Sequence, residues 1–194
     1  MATQDAKQRI LDAAVRRIAQ EGIDGVRIAR IAMDARVSAA LVHYHFASRD
    51  ALLAEAIDYS YEIAGDVRTI DPSETTGAAA RLRAMIEQCL PLPGPQRDDW
   101  LLWVELWLGA ARRPELRATA AKLYARLHEW FATEIAAGVE SGEFGATDAD
   151  RTADLVIALL DGYGVRALAG DPAMDVDTAR TQVWEALASR VGIE

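Results

Sequence analysis

The sequence has little of what secreted or membrane-spanning proteins need. Cys89 is the one cysteine among 194 residues, so no intramolecular disulfide can form, and a reducing compartment is expected. The longest apolar run, Leu106 to Ala111, is far shorter than the roughly 18 residues that cross a bilayer. Asp5, Lys7 and Arg9 stand where a signal peptide would need an apolar stretch. We therefore expect a cytoplasmic protein without a membrane segment.

Proline and strand-like alternation are also scarce. Six prolines occur, three of them within Pro91–Pro95, whereas alanine, the best intrinsic helix former, occurs 38 times. No long stretch alternates apolar and polar residues with the period of two that is typical of strands. These features predict an all-α protein, and the helical periodicity predicts nine helices. Residues that commonly cap helices stand at the predicted starts of five of them: Ser38, Ser48, Ser73, Thr147 and Asp175.

Charge is unevenly distributed along the chain. Residues 1–50 hold eight Lys and Arg against six Asp and Glu, whereas residues 51–194 hold 13 against 24. A mildly basic head on a strongly acidic body suggests two roles, because only the head would tolerate a polyanion. Chance variation on solvated faces would give the same totals, so charge alone does not decide between the two interpretations.

Residues 28 to 46 have the spacing of a helix-turn-helix. A short helix would bury Ile31 and Ala32, a tight turn would follow, and a second helix would keep Val42 inward. That second helix would present an outward face suited to a major groove about 12 Å wide. An ordinary helical hairpin inside a bundle fits the same spacing.

Specific residue types in register resemble the N-terminal domain of the TetR family of transcriptional regulators. They are Ile31-Ala32, Val37-Ser38, Tyr44-His45-Phe46 and Ser48-Arg49-Asp50-Ala51-Leu52-Leu53, within a match that covers about residues 5–60. The resemblance implies a three-helix DNA-binding domain over residues 1–47 and a helical ligand-binding and dimerisation domain over residues 48–194. It also implies a repressor that binds a near-palindromic operator as a dimer and is released by a small molecule.

The resemblance extends to individual DNA contacts. By motif position it implies phosphate contacts from Ser38, Tyr44, His45 and Arg49, and base-edge contacts from Ala39, Ala40, Leu41 and His43. Arg27 and Arg36 complete the predicted set, although the family commonly has Thr and Gly there. A left-handed backbone at Arg36 would strain it by about 1 kcal/mol, which a phosphate contact could offset. For His43 and His45, surface or helix-cap roles are the alternative.

Aromatic residues of the acidic body predict a ligand pocket. Trp100, Trp103 and Trp107 share one helical face, and pockets between helices are mostly apolar with a few polar groups. The predicted ligand-binding set is Trp103, Glu105, Trp107, Tyr124, His128, Trp130 and Tyr163, with Asp161 as a further polar candidate. Core packing is the alternative for each aromatic residue.

Three segments of this body resemble ligand domains of BetI-like members of the family: Trp103 to Trp107, Arg113-Pro114-Glu115-Leu116 and Leu159-Leu160-Asp161-Gly162. A quaternary ammonium compound is one candidate ligand, because cations bind aromatic faces. A planar or an acyl ligand is equally compatible with the sequence.

The last two predicted helices carry an apolar stripe each. In TetR-like proteins this pair forms a dimer interface, which assigns Val156, Leu159, Leu160, Tyr163, Val183 and Leu187 to contacts with a second copy. The same stripes could instead pack inside one protomer.

Evidence for an enzyme is weak. Gly162-Tyr163-Gly164 lacks the strand and the spacing of a dinucleotide fingerprint, and His43 and His45 lie on different helical faces, as metal ligands rarely do. We expect no cofactor and no metal. A DNA-binding protein without a ligand, and an all-α enzyme that uses the aromatic pocket, are the alternatives to a ligand-responsive regulator.

Overall fold

The computed structural model describes residues 2–67 and 76–193, and over these residues the chain is helical without a strand. The described residues form nine α-helices: α1 Ala2–Gly25, α2 Ile28–Asp34, α3 Ala39–His45, α4 Arg49–Val67, α5 Ala78–Gln88, α6 Pro95–Arg112, α7 Arg117–Glu140, α8 Ala149–Leu168 and α9 Val176–Val191. A short 3-10 helix, Pro114–Leu116, separates α6 from α7. The predicted all-α class is confirmed.

The chain folds into two compact units. The described residues of the N-terminal unit are 2–67 and 98–123, and those of the C-terminal unit are 76–97 and 124–193. This division reflects compactness and keeps α4 in the same unit as α1–α3. It does not test where the DNA-binding domain ends, so the boundary predicted after residue 47 stays a prediction.

Each unit has its own apolar core. In the N-terminal unit, α1 packs against α4, and the two helices bury residues such as Ile10, Ile18, Leu52 and Leu53. In the C-terminal unit, α8 lies along α9, and α5 packs on α9. Its core contains Leu82, Met85, Ile86, Phe131, Ile135, Val156, Leu160, Val183 and Leu187.

Capping side chains explain four of the nine helix starts in the described residues, those of α3, α4, α8 and α9. Ser38, Ser48 and Asp175 accept hydrogen bonds from backbone N–H groups three residues ahead, at 3.2, 3.0 and 2.7 Å, as predicted. The cap of α8 is Asp148 and not Thr147, because the Asp148 carboxylate accepts the N–H of Arg151 at 3.1 Å.

The start of α5 depends on a residue distant in sequence. Glu143 accepts the N–H groups of Ala78 and Ala79 at 2.7 and 2.9 Å, which satisfies two donors that the first helical turn leaves free. The predicted cap, Ser73, lies outside the described residues.

Candidate nucleic-acid interface and ligand site

Helices α2 and α3 form a compact helix-turn-helix. Ile31 and Ala32 of α2, Val42 of α3 and the following Phe46 are buried and form its small core. The opposite face of α3 is exposed, and the Tyr44 side chain has 77% of its surface accessible. The exposed residues are Ala39, Ala40, His43 and Tyr44, with Leu41 half-buried. A helix presented in this way can enter a major groove.

Ion pairs orient α2 on α1. Arg17 of α1 donates two hydrogen bonds to Asp34 at the end of α2, at 2.6 and 3.0 Å, and also pairs with Glu21. The hydrogen bond from Arg17 holds the pKa of Asp34 below its usual range. These contacts fix the end of α2 before the turn that leads into α3.

The remaining predicted DNA contacts differ in availability. Arg27 is exposed and donates to the Asp24 carbonyl at 3.1 Å. Arg36 is exposed, and its φ of 55° makes it left-handed, as the comparison with glycine had suggested. His45 is half-buried, and its ring packs edge-on against Tyr44 with 5.2 Å between centroids, so packing accounts for much of its environment.

Arg49 has a structural role that the sequence did not indicate. Its Nε donates to the Val26 carbonyl at 3.1 Å, its Nη2 to the Ile23 carbonyl, and its Nη1 to Asp50 at 3.2 Å. Each guanidinium nitrogen therefore already binds the protein, and a phosphate contact would have to use the remaining N–H groups.

Glu105 also binds the turn that Arg49 contacts. The helical conformation of α1 is interrupted at Gly22, with φ 70° and ψ 162°, and the next N–H, that of Ile23, donates to Glu105 Oε2 at 2.8 Å. A Cβ atom at Gly22 would lie 3.0 Å from Glu105 Oε1, so the carboxylate approaches the backbone closely. Arg113 pairs with Asp24 in this turn. The Glu105 carboxylate therefore has a structural role in this turn, and its assignment as a ligand group stays a prediction.

The tryptophans of α6 form a cluster of tilted and edge-to-face rings in the N-terminal unit. The Trp100 ring lies 5.8 Å from the rings of Trp103 and Trp107, centroid to centroid. Trp100 and Trp103 are 2% and 7% exposed, which favours the core interpretation for both.

The other predicted ligand residues lie in the C-terminal unit. The Tyr124 hydroxyl on α7 donates to Asp161 Oδ2 on α8 at 2.7 Å. Burial raises the pKa of the Asp161 carboxyl, although the bond from Tyr124 opposes that shift. Burial and the bond to Asp161 likewise raise the pKa of Tyr124.

His128 extends this line of polar groups one helical turn further. Its Nε2 lies 3.6 Å from a carboxylate oxygen of Asp154 and 3.2 Å from the backbone carbonyl of Asp150. Tyr124 and His128 of α7 thus face Asp150, Asp154 and Asp161 of α8; we call these five residues the acidic seam. Trp130 and Tyr163 pack against the core cluster, and the helical repeat of 100° per residue places Tyr163 on another side of α8 from Asp161.

The predicted dimer residues need a correction. Val156, Leu160, Val183 and Leu187 are at most 2% exposed and belong to the core of a single C-terminal unit, so they cannot also face a second copy. Leu159 and Tyr163 are half-buried against that core.

The opposite face of α8 carries small and apolar residues instead. Ala158, Gly162 and Val165 are exposed, Val165 by 41%, and a Cβ atom at Gly162 would have no neighbour within 4 Å.

Residues 2–67 and 76–193 contain neither a membrane-spanning helix nor a metal-binding cluster. No helix there is long and apolar enough to span a membrane. No group of three His, Cys, Asp or Glu residues there is arranged to hold a metal ion.

Two family models match the chain. Residues 10–56 match the model described as bacterial regulatory proteins, tetR family, and residues 78–192 match the C-terminal part of the BetI-type transcriptional repressors. The second match spans more than half of the 194 residues.

Known proteins resemble the chain over nearly its whole length. It is 26% identical over 175 residues to the HTH-type transcriptional regulator BetI of Paraburkholderia phymatum, covering 86% of this chain and 83% of BetI. A structure described as a transcriptional regulator from Saccharomonospora viridis in complex with choline superimposes with a TM-score of 0.85 and 34% identity, covering 94% and 95% of the two chains. The structure of the multidrug binding protein EbrR complexed with ethidium superimposes with a TM-score of 0.70 and 28% identity, covering 93% of this chain and 98% of EbrR.

Proposed function

The chain belongs to the TetR family of transcriptional regulators, with a C-terminal part of the BetI repressor type, and we propose that it represses transcription as a homodimer that a small cationic ligand releases from its operator. The exposed face of α3 is the observation that supports the DNA-binding part of this proposal. The acidic seam between α7 and α8 supports the ligand half.

Recognition of DNA would combine base reading with backbone contacts. Ala39, Ala40, Leu41 and His43 would face base edges, while Ser38, Tyr44, His45, Arg27 and Arg49 would contact or position phosphates. The alanines offer no hydrogen-bonding groups, so discrimination would depend on thymine methyl contacts, on His43 and on DNA shape.

Selection of duplexes from a random pool tests the DNA-binding proposal. We expect enrichment of a near-palindrome, with the two recognition helices spaced about 34–36 Å apart in a dimer. Binding of all duplexes with equal affinity, with no palindrome enriched, would contradict it.

His43→Ala is expected to relax the preference for one base pair in each half-site. His43 is exposed on α3, and a side chain that reads a base edge contributes about 1–3 kcal/mol of discrimination. The measurement repeats the duplex selection with the variant. A selected sequence identical to that of the wild type would remove His43 from the base-reading set.

The exposed face of α8 is our revised dimer interface. Ala158 and Gly162 would allow two copies of the helix to approach closely, and Val165 would be covered by a partner. Exposed apolar surface rimmed by polar residues is typical of such interfaces. This face replaces the residues that the structure buries inside one protomer.

Val165→Glu is expected to convert the dimer into folded monomers that no longer retard operator DNA. The substitution would bring two like charges into the interface, whereas the side chain is 41% exposed in the single chain and its own fold should persist. Light scattering gives the mass and circular dichroism the helix content. Ala121→Glu, on an exposed position of α7, is the matched control and should leave a dimer. A dimeric Val165→Glu protein would exclude this face.

The ligand would bind beside Tyr124 and Asp161. Choline and ethidium are both cations, and the two structures that contain them resemble this chain. A half-buried carboxylate next to an aromatic ring can stabilise a desolvated cation. A hundredfold loss of operator affinity would need about 2.7 kcal/mol of coupling between the ligand and DNA sites.

A further inference from the structure

The end of α2 forces one residue into a left-handed conformation. The Val37 N–H donates to the Ala32 carbonyl at 2.9 Å, and the Arg36 N–H donates to the Met33 carbonyl at 3.1 Å. This pair of bonds is the Schellman motif, in which the residue after the helix cap adopts positive φ and is usually glycine. Here that residue is Arg36, with φ 55°.

Other helices of the same chain place glycine at their ends. Gly142 follows α7, Gly170 follows α8 and Gly192 follows α9, with φ of 75°, 77° and 74°. Among residues 2–67 and 76–193, Arg36 is the one non-glycine residue with positive φ. The end of α2 thus needs a left-handed residue but gains nothing locally from an arginine.

The guanidinium of Arg36 lacks the carboxylate partner that several arginines of the N-terminal unit have. Arg9, Arg17 and Arg30 each pair with a carboxylate. Arg36 is exposed, and within the described part of the chain it has no ion pair or side-chain hydrogen bond. Its positive charge is therefore available to an anion from outside the protein.

We propose that Arg36 binds a phosphate of the DNA backbone. It lies in the turn between α2 and α3, two residues before the cap of α3, so it stands at the edge of the surface that presents the recognition helix. The planar fork of arginine suits a phosphate, and retained backbone strain commonly marks a functional residue. This inference rests on the proposed function, because it requires α3 to lie against DNA.

Stability and DNA affinity are expected to change in opposite directions in Arg36→Gly. Glycine adopts positive φ without strain, so the melting temperature should rise by about 2–4 °C. Each protomer would lose one phosphate contact, which should weaken DNA binding roughly fivefold to tenfold per protomer. The slope of log K against log salt should flatten by about one per protomer, and so by about two for the dimer.

Two further variants separate charge from backbone conformation. Arg36→Gln keeps the strained backbone and loses the charge, so it should bind DNA as weakly as Arg36→Gly without the rise in melting temperature. Arg36→Lys keeps the charge, and its affinity should stay within about threefold of the wild type. The probe is a random-sequence duplex of about 30 base pairs at low salt, read by fluorescence anisotropy, because a phosphate contact does not depend on sequence.

The outcomes distinguish this inference from the proposed function. If the wild type binds no duplex, the proposed function fails. If the wild type binds and Arg36→Gln matches it in affinity and salt slope, only the phosphate contact is overturned. A loss of affinity in Arg36→Gly alone would also overturn it, because backbone conformation and not charge would then be responsible.

Discussion

Leu160→Glu is expected to unfold the C-terminal unit instead of separating two folded protomers. Leu160 is 2% exposed and shares the core cluster with Phe131 and Leu187. An unpaired carboxylate at a buried position costs several kcal/mol, a large part of the roughly 5–15 kcal/mol that stabilises a typical protein. The measurement is the helical circular dichroism signal and its thermal transition.

Val165→Glu is the informative comparison, because both variants place a glutamate on α8, one on its buried face and one on its exposed face. Leu160→Ala provides a milder probe, with an expected destabilisation of about 2–5 kcal/mol. A Leu160→Glu protein that melts like the wild type and runs as a monomer would mean that Leu160 faces a partner after all.

Asp161→Asn is expected to lose at least roughly thirtyfold in affinity for choline, about 2 kcal/mol, because truncating a buried charge partner carries a penalty of that order or more. The measurement is calorimetric titration. Asp154→Asn is the matched control: it lies on the same face of α8, but its side chain is 74% exposed, so its loss should be small. Equal affinities of Asp161→Asn and the wild type would remove Asp161 from the ligand site.

The raised pKa of Asp161 gives this prediction a pH dependence. Choline has a permanent charge, so its affinity should fall as pH drops through the raised pKa, at a higher pH than for an ordinary aspartate, near 4. The free folded protein holds the Asp161 proton more tightly than the unfolded chain does. Its stability should therefore decrease as pH rises from that ordinary value through the raised pKa. Asp161→Asn should abolish both effects.

Local features of the fold could be predicted well from sequence. Ser38, Ser48 and Asp175 cap helices because the relevant bond reaches only three residues along the chain. The family matches confirm the assignment as a regulator and not an enzyme. This assignment could be predicted because the N-terminal motif lies within one continuous stretch, residues 10–56.

Features that depend on distant residues could not be predicted. Glu105 binds a backbone N–H 82 positions away, and no sequence pattern signals such a pair. The burial of Val156 and Leu160 within one protomer could not be predicted, because α8 is apolar on both sides, with Ala158 and Val165 on the other. Periodicity shows that a helix has apolar faces, but it does not show which of two such faces packs inside the protomer and which stays exposed.

The turn at Gly22 limits how this protein can be recombined with its relatives. Its backbone groups are held by Arg49 and Glu105, and Asp24 is held by Arg113. A chimera that exchanges only residues 1–47 would import a new turn but retain Arg49, Glu105 and Arg113 from the recipient. The DNA-reading segment is thus not an interchangeable module at that boundary, and an engineered hybrid should carry α4, α6 and Arg113 along with it.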